Sequence, residues 1–339
     1  MDRIRLGRTG LMVTRSGFGA LPIQRVPMDE AVRILRAAVD GGINFIDTAR
    51  GYSDSEEKIG RALADRRDEI ILATKVPARD RAALLEGLAA SLAALRTDHV
   101  DILQLHNPPA VGDPQDANSA YTGLMEAKER GLTRFVGISN HRLDVALAAA
   151  RSGLFDTIQF PLSAISADRD LELIEVCRAH DVGVIAMKAL CGGLLTDART
   201  ALAFFRQFDN VVPIWGIQRE EELAEFLALE ADPPALDEAM RAAIERDRAE
   251  LAGDFCRGCG YCLPCPADIP IPMAARMSFL LRRSPTARLL GQPWQENMRK
   301  ITECTECGQC KERCPYGLDT PRLLKMMYED YRDVLANGV

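Results

Sequence analysis

Eight times in succession a short apolar run gives way to a longer stretch with apolar residues at helical spacing, all within about the first 230 of 339 residues. The strand-like runs begin near Arg15–Gly19 and recur at 43–47 ("INFID"), 70–75 ("IILATK"), 100–106 ("VDILQLH"), 134–139, 156–160, 182–188 and 211–216. Helices are expected at 28–41, 54–64, 80–96, 119–130, 142–152, 169–181, 198–208 and 219–230. Near-continuous apolar strands separated by amphipathic helices imply a parallel sheet covered by helices. Eight units in this length suit a closed barrel, so the expected fold class is α/β, a (β/α)8 TIM barrel with a small N-terminal hairpin. An open doubly wound sheet is the alternative. It would want a G-x-G-x-x-G turn after its first strand, and the nearest stretch, "GFGALPI", lacks the third glycine.

Past residue 230 the rhythm stops. "ADPPALDEAMRAAIERDRAEL" reads as a proline-marked turn and a helix, and the domain boundary is expected near Gly253, with a barrel over 1–250 and a second domain over 251–339. That second stretch holds eight of the ten cysteines and has helix candidates at about 271–283, 296–303 and 319–335. Its first cysteine row is Cys256, Cys259, Cys262, Cys265 and Pro266; its second is Cys304, Cys307, Cys310, Cys314 and Pro315. A disulfide framework is one reading. The N-terminus "MDRIRLGRTG" has no apolar run of the secretory kind, however, so a reducing, cytoplasmic setting is expected and closely spaced thiols there suggest metal. Zinc usually takes two C-x2-C hairpins separated by a longer loop. Here the second row is C-x2-C-x2-C-x3-C-P, the form linked to [4Fe-4S] sites, and the first is one residue shorter. No run of eighteen apolar residues calls for a membrane, and a net charge of −7 with interspersed signs offers no pull towards nucleic acid.

In a barrel of this kind, chemistry sits where strands hand over to the loops that follow them. Asp47 closes the second strand and Tyr52 lies just beyond it, while Lys75 closes the third and His106 the fourth. A phenol, with a pKa near 10, is a poor acid at neutral pH, and a neighbouring ammonium is expected to lower that value. A carboxylate would keep the ammonium charged and oriented, and an imidazole would direct a substrate oxygen. Tyr52 would then give a proton to a carbonyl oxygen as hydride reaches the carbon. Taken singly, Asp47 also reads as a helix cap, Lys75 as a snorkelling side chain, His106 as a turn residue and Tyr52 as packing.

As an ordered set these segments resemble the aldo-keto reductase family. "NFIDTARGYSDSEEKIG" is similar to its signature around the catalytic Asp and Tyr, and "ILATK" and "DILQLHNP" to the segments supplying its Lys and His. The resemblance runs over roughly residues 3 to 230. It implies that Tyr52 is the proton donor, Lys75 its activator, Asp47 the partner of Lys75 and His106 the substrate orienter, with hydride supplied by a nicotinamide cofactor, usually NADPH. "GISNH" resembles the pair that holds the nicotinamide carboxamide, which implies Ser139 and Asn140 in that role with Gln159 as a third contact. Where the family carries a basic run for the adenosine 2'-phosphate, this chain reads "VVPIWGIQREEELAEF". Gly216 and the backbone after it are candidates for a phosphate near a helix start. Arg219 is the only base there, and Glu222 is a candidate acceptor for ribose hydroxyls, so NADP and NAD are both expected options.

The wide gap between cysteine rows and its helical filling look like an alpha-helical ferredoxin module with two [4Fe-4S] clusters, similar to the tail of a bacterial subgroup of aldo-keto reductase-like proteins. In two-cluster ferredoxins the fourth Cys of each row serves the other cluster. Carried over, Cys256, Cys259, Cys262 and Cys314 hold one cluster, and Cys304, Cys307, Cys310 and Cys265 the other. Cys177 reads as core; Cys191, beyond the seventh strand, reads as a small buried hydrophobe, with a ligand or substrate contact as the alternative.

The leading expectation is an oxidoreductase acting on a small carbonyl or alcohol substrate. Hydride carries two electrons and a cubane normally one, so direct relay between them needs a splitter such as a flavin, for which no motif is present, or a redox partner protein. The alternatives are structural or oxygen-sensing clusters, an electron-transfer or redox-sensing subunit whose barrel no longer catalyses, and a zinc-stapled reductase.

Overall fold

The computed structural model describes residues 1–251, 255–283 and 286–338. The boundary expected near Gly253 falls outside them. The chain forms two compact units, one of Met1–Ala189 with Ala198–Met240, the other of Leu190–Asp197 with Arg241–Val339.

The first unit opens with an antiparallel hairpin of β1 (Arg3–Arg5) and β2 (Met12–Thr14). Eight parallel strands then close on themselves: β3 (Gly17–Gly19), β4 (Phe45–Asp47), β5 (Ile71–Val76), β6 (Val100–His106), β7 (Thr133–Ser139), β8 (Thr157–Pro161), β9 (Gly183–Met187) and β10 (Val211–Gly216). The expected barrel is therefore present, and the doubly wound alternative is excluded. Between the strands run α1 (Met28–Asp40), α2 (Ser55–Leu63), α3 (Arg81–Leu95), α4 (Ala120–Glu129), α5 (Leu143–Ser152), α6 (Asp168–Ala179) and α7 (Ala198–Phe205), and α8 (Glu220–Ala231) follows the last. α3 and α4 begin on Asp80 and Ser119, whose side chains accept from the N–H groups of Ala83 and Thr122.

The hairpin has a definite task. Ile4, Leu6, Leu11 and Val13 share one core cluster with inward residues of the barrel, among them Phe45, Ile102, Ile185 and Val212. Arg8 N–H donates to Asp181 O just before β9, so this apolar wedge stands at the N-terminal ends of the strands. The opposite end is left to chemistry.

The second unit contains α9 (Glu238–Glu250) from Arg241 onward, α10 (Ile271–Ala274), α11 (Met277–Arg283), α12 (Gln292–Arg299), α13 (Gln309–Glu312) and α14 (Thr320–Asn337). The single helix expected at 271–283 is broken: Arg276 N–H bonds Met273 O, a tight turn that separates α10 from α11. The helix expected at 296–303 starts earlier, with Pro293 in its first turn, where a missing N–H costs nothing, and it closes as a 3-10 turn over Lys300–Glu303. α14 is the organising helix. Its buried Leu323, Leu324, Met327, Tyr331 and Val334 face inward, Tyr331 OH donates to Leu289 O at 2.7 Å, and Asp330 receives both Nη atoms of Arg282. Among the described residues no helix is long and apolar enough to cross a membrane.

Gly60 permits the close approach of α2 to α3, since a Cβ there would lie 2.3 Å from Ala94 O. Gly60→Ala should lower stability by about 1–3 kcal/mol through overpacking. Urea unfolding checks this as a lower midpoint with an unchanged slope.

Candidate active site

Strand register sets the levels of the site. Lys75 of β5 pairs with Gln104 of β6, His106 pairs with Ser139 of β7, and Ser139 pairs with Gln159 of β8. Asp47, at the end of β4, is 2% exposed and Lys75 is 0% exposed. Their side chains meet inside the barrel, Lys75 Nζ lying 2.7 Å from Asp47 Oδ1 and also donating to Thr48 O. Two amides complete the arrangement. Gln159 Nε2 donates to Asp47 Oδ1 at 3.2 Å, and Gln104 Nε2 donates to Gln159 Oε1 at 2.9 Å and reaches Asp47 Oδ2 at 3.4 Å. Burial pushes the Asp47 carboxyl up and the Lys75 ammonium down, and each is opposed by the other's charge.

Tyr52 and His106 stand over this pair. The Tyr52 ring centroid is 5.2 Å from Lys75 Nζ, and the His106 ring meets it edge-on with centroids 5.8 Å apart. The four candidate catalytic side chains thus come together at the C-terminal end of the barrel. Their electrostatics differ from the expectation in one respect. The ammonium does not bring the phenol down; desolvation first, and the charge of Asp47 second, push Tyr52 above its ordinary value. Lys75 is spent on Asp47 and on a carbonyl, so it does not offset that rise. His106 is pulled down to about 3, mainly by burial and then by Lys75. At neutral pH the rim therefore presents a protonated phenol and a neutral imidazole.

Sequence reasoning missed the supports of the Tyr52 loop. Glu56, 1% exposed on α2, accepts from Arg50 Nη1 at 2.8 Å and from Thr74 Oγ1 at 2.7 Å. Arg50 lies two residues before Tyr52, and Thr74 is the neighbour of Lys75, so one carboxylate ties the loop to the strand. Ser55 Oγ donates to Ala20 O and is paired with Thr48 Oγ1 at 2.9 Å, and Lys58 Nζ donates to Ile23 O and Asp54 Oδ1 at 2.9 Å. The available signal was "SEEK" itself: four polar residues in a row, where a solvent-facing helix would still have to show an apolar stripe. Gln104 was hidden by its apolar neighbours in "DILQLH".

The candidate cofactor residues are placed less uniformly. Ser139 and Gln159 lie at one level beside His106, but the Gln159 amide is engaged with Asp47 and Gln104. Asn140 donates from Nδ2 to Pro108 O and accepts Arg142 N–H, each at 2.8 Å. Gly216 ends β10 at the surface. Glu222 caps α8, accepting from the N–H groups of Gln218 and Arg219, and its Oε1 lies 2.7 Å from Arg219 Nη2. The candidate ribose acceptor and the candidate phosphate base are thus paired with each other.

In the second unit, Cys265 of the first row lines one cavity with Cys304, Cys307 and Cys310 of the second, as does Cys262. Cys256 lies where its thiol is pushed up by burial first and also by Cys259 and Cys314, while the Gly258 N–H donates to its Sγ at 3.3 Å. Among the described residues, no three His, Cys, Asp or Glu side chains converge closely enough to hold a single metal ion. Cys177 is buried in α6, as expected of a core residue. Cys191 is buried in the Leu190–Asp197 segment with a backbone φ of 50°.

With this geometry in hand, comparison with known proteins is direct. The Aldo/keto reductase family matches residues 15–231, and the 4Fe-4S dicluster domain matches residues 255–319. The aldo-keto reductase YhdN of Bacillus subtilis is 28% identical over 219 residues, 59% of this chain and 65% of that protein. The L-galactose dehydrogenase of Arabidopsis thaliana is 34% identical over 211 residues, 57% of this chain and 66% of that protein. The alignments thus span about two thirds of each relative's own length. The solved structure of the aldo-keto reductase AKR11C1 from Bacillus halodurans, in its holo form, superposes with a TM-score of 0.64 at 26% identity, covering 73% of this chain and 96% of that one. The chain belongs to the aldo/keto reductase family, a family of NAD(P)-dependent oxidoreductases, and it carries a C-terminal region that matches the 4Fe-4S dicluster domain.

Proposed function

We propose that the barrel reduces an aldehyde or ketone, or oxidises the corresponding alcohol, with Tyr52 as the group that moves the proton. The observation that carries this reading is the meeting of Tyr52, Lys75, Asp47 and His106 at one barrel end. When bound, a nicotinamide cofactor supplies or accepts the hydride. The chain's own residues do the rest. His106, held neutral, donates an N–H to the substrate oxygen and fixes its approach. Tyr52 hands its proton to that oxygen as negative charge develops there, and Lys75 sits below the ring as fixed positive charge. Asp47, with Gln104 and Gln159, holds Lys75 in place. Ser139, Asn140 and Gln159 are the proposed carboxamide contacts; for Gln159 this means sharing an amide now committed to Asp47. Gly216, Arg219 and Glu222 are the proposed nucleotide contacts, and a 2'-phosphate would compete with Glu222 for Arg219.

For the second unit, the proposed reading is two [4Fe-4S] clusters with exchanged fourth ligands, supported by the match to the 4Fe-4S dicluster domain. A cluster spreads its four sulfur ligands more widely than a lone tetrahedral ion does, and Cys265 stands around one cavity with Cys304, Cys307 and Cys310. Cys256, Cys259, Cys262 and Cys314 form the other proposed set. Clusters so held would accept single electrons for delivery to a redox partner protein.

Tyr52→Phe should cut kcat for a model aldehyde by about 10²–10⁴-fold, the usual contribution of a positioned general acid. Cofactor affinity should change little, as followed by nucleotide fluorescence titration with both NADH and NADPH. Failure of the wild-type chain to bind either nucleotide would overturn the reading and leave an electron-transfer or redox-sensing subunit. With His106 down at about 3 and Tyr52 raised above its usual range, neither group changes charge between about pH 5 and 9. The reduction rate, kcat/KM against pH, should therefore show no inflection at 6–7. An inflection that disappears in His106→Gln would place the imidazole's titration inside that window and contradict the geometry. After anaerobic reconstitution, Cys265→Ser and Cys314→Ser should each impair a different cluster, as counted by iron and by broad absorbance near roughly 400 nm. Colourless wild-type protein with bound zinc would refute the cluster assignment.

A further inference from the structure

We propose that Arg276 raises the reduction potential of the cluster held by the first cysteine row, making it the easier of the two clusters to reduce. This rests on the two-cluster reading above and goes beyond it by ranking the clusters.

Arg276 sits on the turn between α10 and α11 and is only 6% exposed. Its head is fixed by backbone carbonyls, Nε donating to Pro272 O at 2.9 Å and Nη1 to Gly192 O at 3.1 Å. The guanidinium lies flat against Gly258, between Cys256 and Cys259. A Cβ at Gly258 would be 3.0 Å from Arg276 Cζ, and the residue's φ of +64° suits glycine in any case. The same Gly258 directs its N–H to Cys256 Sγ at 3.3 Å. A buried cation and a backbone donor therefore address one short stretch of the first row. Arg257 adds a second cation there, 4.1 Å from the Phe255 ring centroid and 5.4 Å from that of Tyr316.

The second row's cavity holds no counterpart to that buried cation among the described residues lining it. Among the described residues lining the cavity of Cys304, Cys307 and Cys310, the one charged side chain other than the thiols is Glu306. Lys325 pairs with Glu306, but both side chains are more than half exposed, so solvent and salt screen the pair. Reduction adds one electron, hence one negative charge, to a cluster. Nearby positive charge favours that addition, most strongly where the dielectric is low. Cys307 is exposed, and water there also favours a reduced cluster. A whole charge fixed in a buried position beside the first row outweighs that.

The test is a redox titration of the reconstituted full-length protein with dithionite, monitored by electron paramagnetic resonance, with iron counted in every sample. Arg276→Gln should lower the higher midpoint by at least a tenfold change in the reduction equilibrium, which is about 59 mV for a one-electron couple, and leave the lower midpoint in place. Arg276→Lys, which keeps the charge, should stay close to wild type. Unchanged midpoints in a fully loaded Arg276→Gln protein would overturn the proposal, as would equal drops in both variants, which would point to packing rather than charge. Cys307→Ser provides an independent arm should Arg276→Gln fail to take up iron. It should shift or remove only the lower wave, and loss of the higher wave instead would also overturn the proposal. Wild-type protein that takes up no iron would fail earlier and separately, and would sink the two-cluster reading itself.

Discussion

The ion pair of Lys75 and Asp47 is the constraint around which the barrel is arranged. Two unlike charges are sealed among apolar strands, and removing one partner of such a pair typically costs about 3–5 kcal/mol because the other is left buried and uncompensated. That cost is tolerable only where further donors and acceptors complete the set, which explains why two glutamines occupy inward positions on β6 and β8. Gln104 and Gln159 are oriented by the carboxylate: with Asp47 ionised, each must turn its N–H towards it. The pair thereby fixes two amides, and Gln159 in turn stands one strand from Ser139 and two from His106.

The same pair explains the state of the rim. An ammonium fully occupied by a carboxylate and a carbonyl presents little uncompensated charge to the phenol above it. Tyr52 is consequently governed by its poor hydration and by Asp47, and it stays protonated. For the proposed carbonyl reduction that would be the useful form, since the proton must be in place before charge develops on the substrate oxygen. His106 is neutral mainly through burial and then through the charge of Lys75, and a neutral imidazole can both donate and accept.

Much of the fold was legible because the barrel's strands are short apolar blocks and its helices are separated by turn residues. Each expected strand and helix of the first unit overlaps an observed one. The convergence of the candidate catalytic residues was legible because Asp47, Lys75 and His106 are polar residues closing apolar runs, a pattern packing alone does not produce. What escaped were polar groups whose purpose depends on a distant partner. Gln104 looks like an accident in an apolar strand until Asp47 is seen across the barrel, 57 residues away in sequence. Glu56 looks like an ordinary first-turn acid until Arg50 and Thr74 are seen around it. The sign of the Tyr52 shift escaped for a related reason: proximity to Lys75 was readable from the order of strands, but the commitment of Lys75 to other partners was not. In the second unit the short helices were misjudged because their limits follow from local turns, such as the one at Arg276, and hardly at all from apolar periodicity.

The hairpin wedge at the N-terminal ends of the strands has a consequence for the hydration of the buried ion pair. Ile4, Leu6, Leu11 and Val13 pack that end with apolar side chains, and Lys75 and Asp47 above it are 0% and 2% exposed. An occupant beside Tyr52 would deepen the desolvation that already pushes Asp47 up and Lys75 down, so admitting a guest and shifting the ionisation beneath it would be linked.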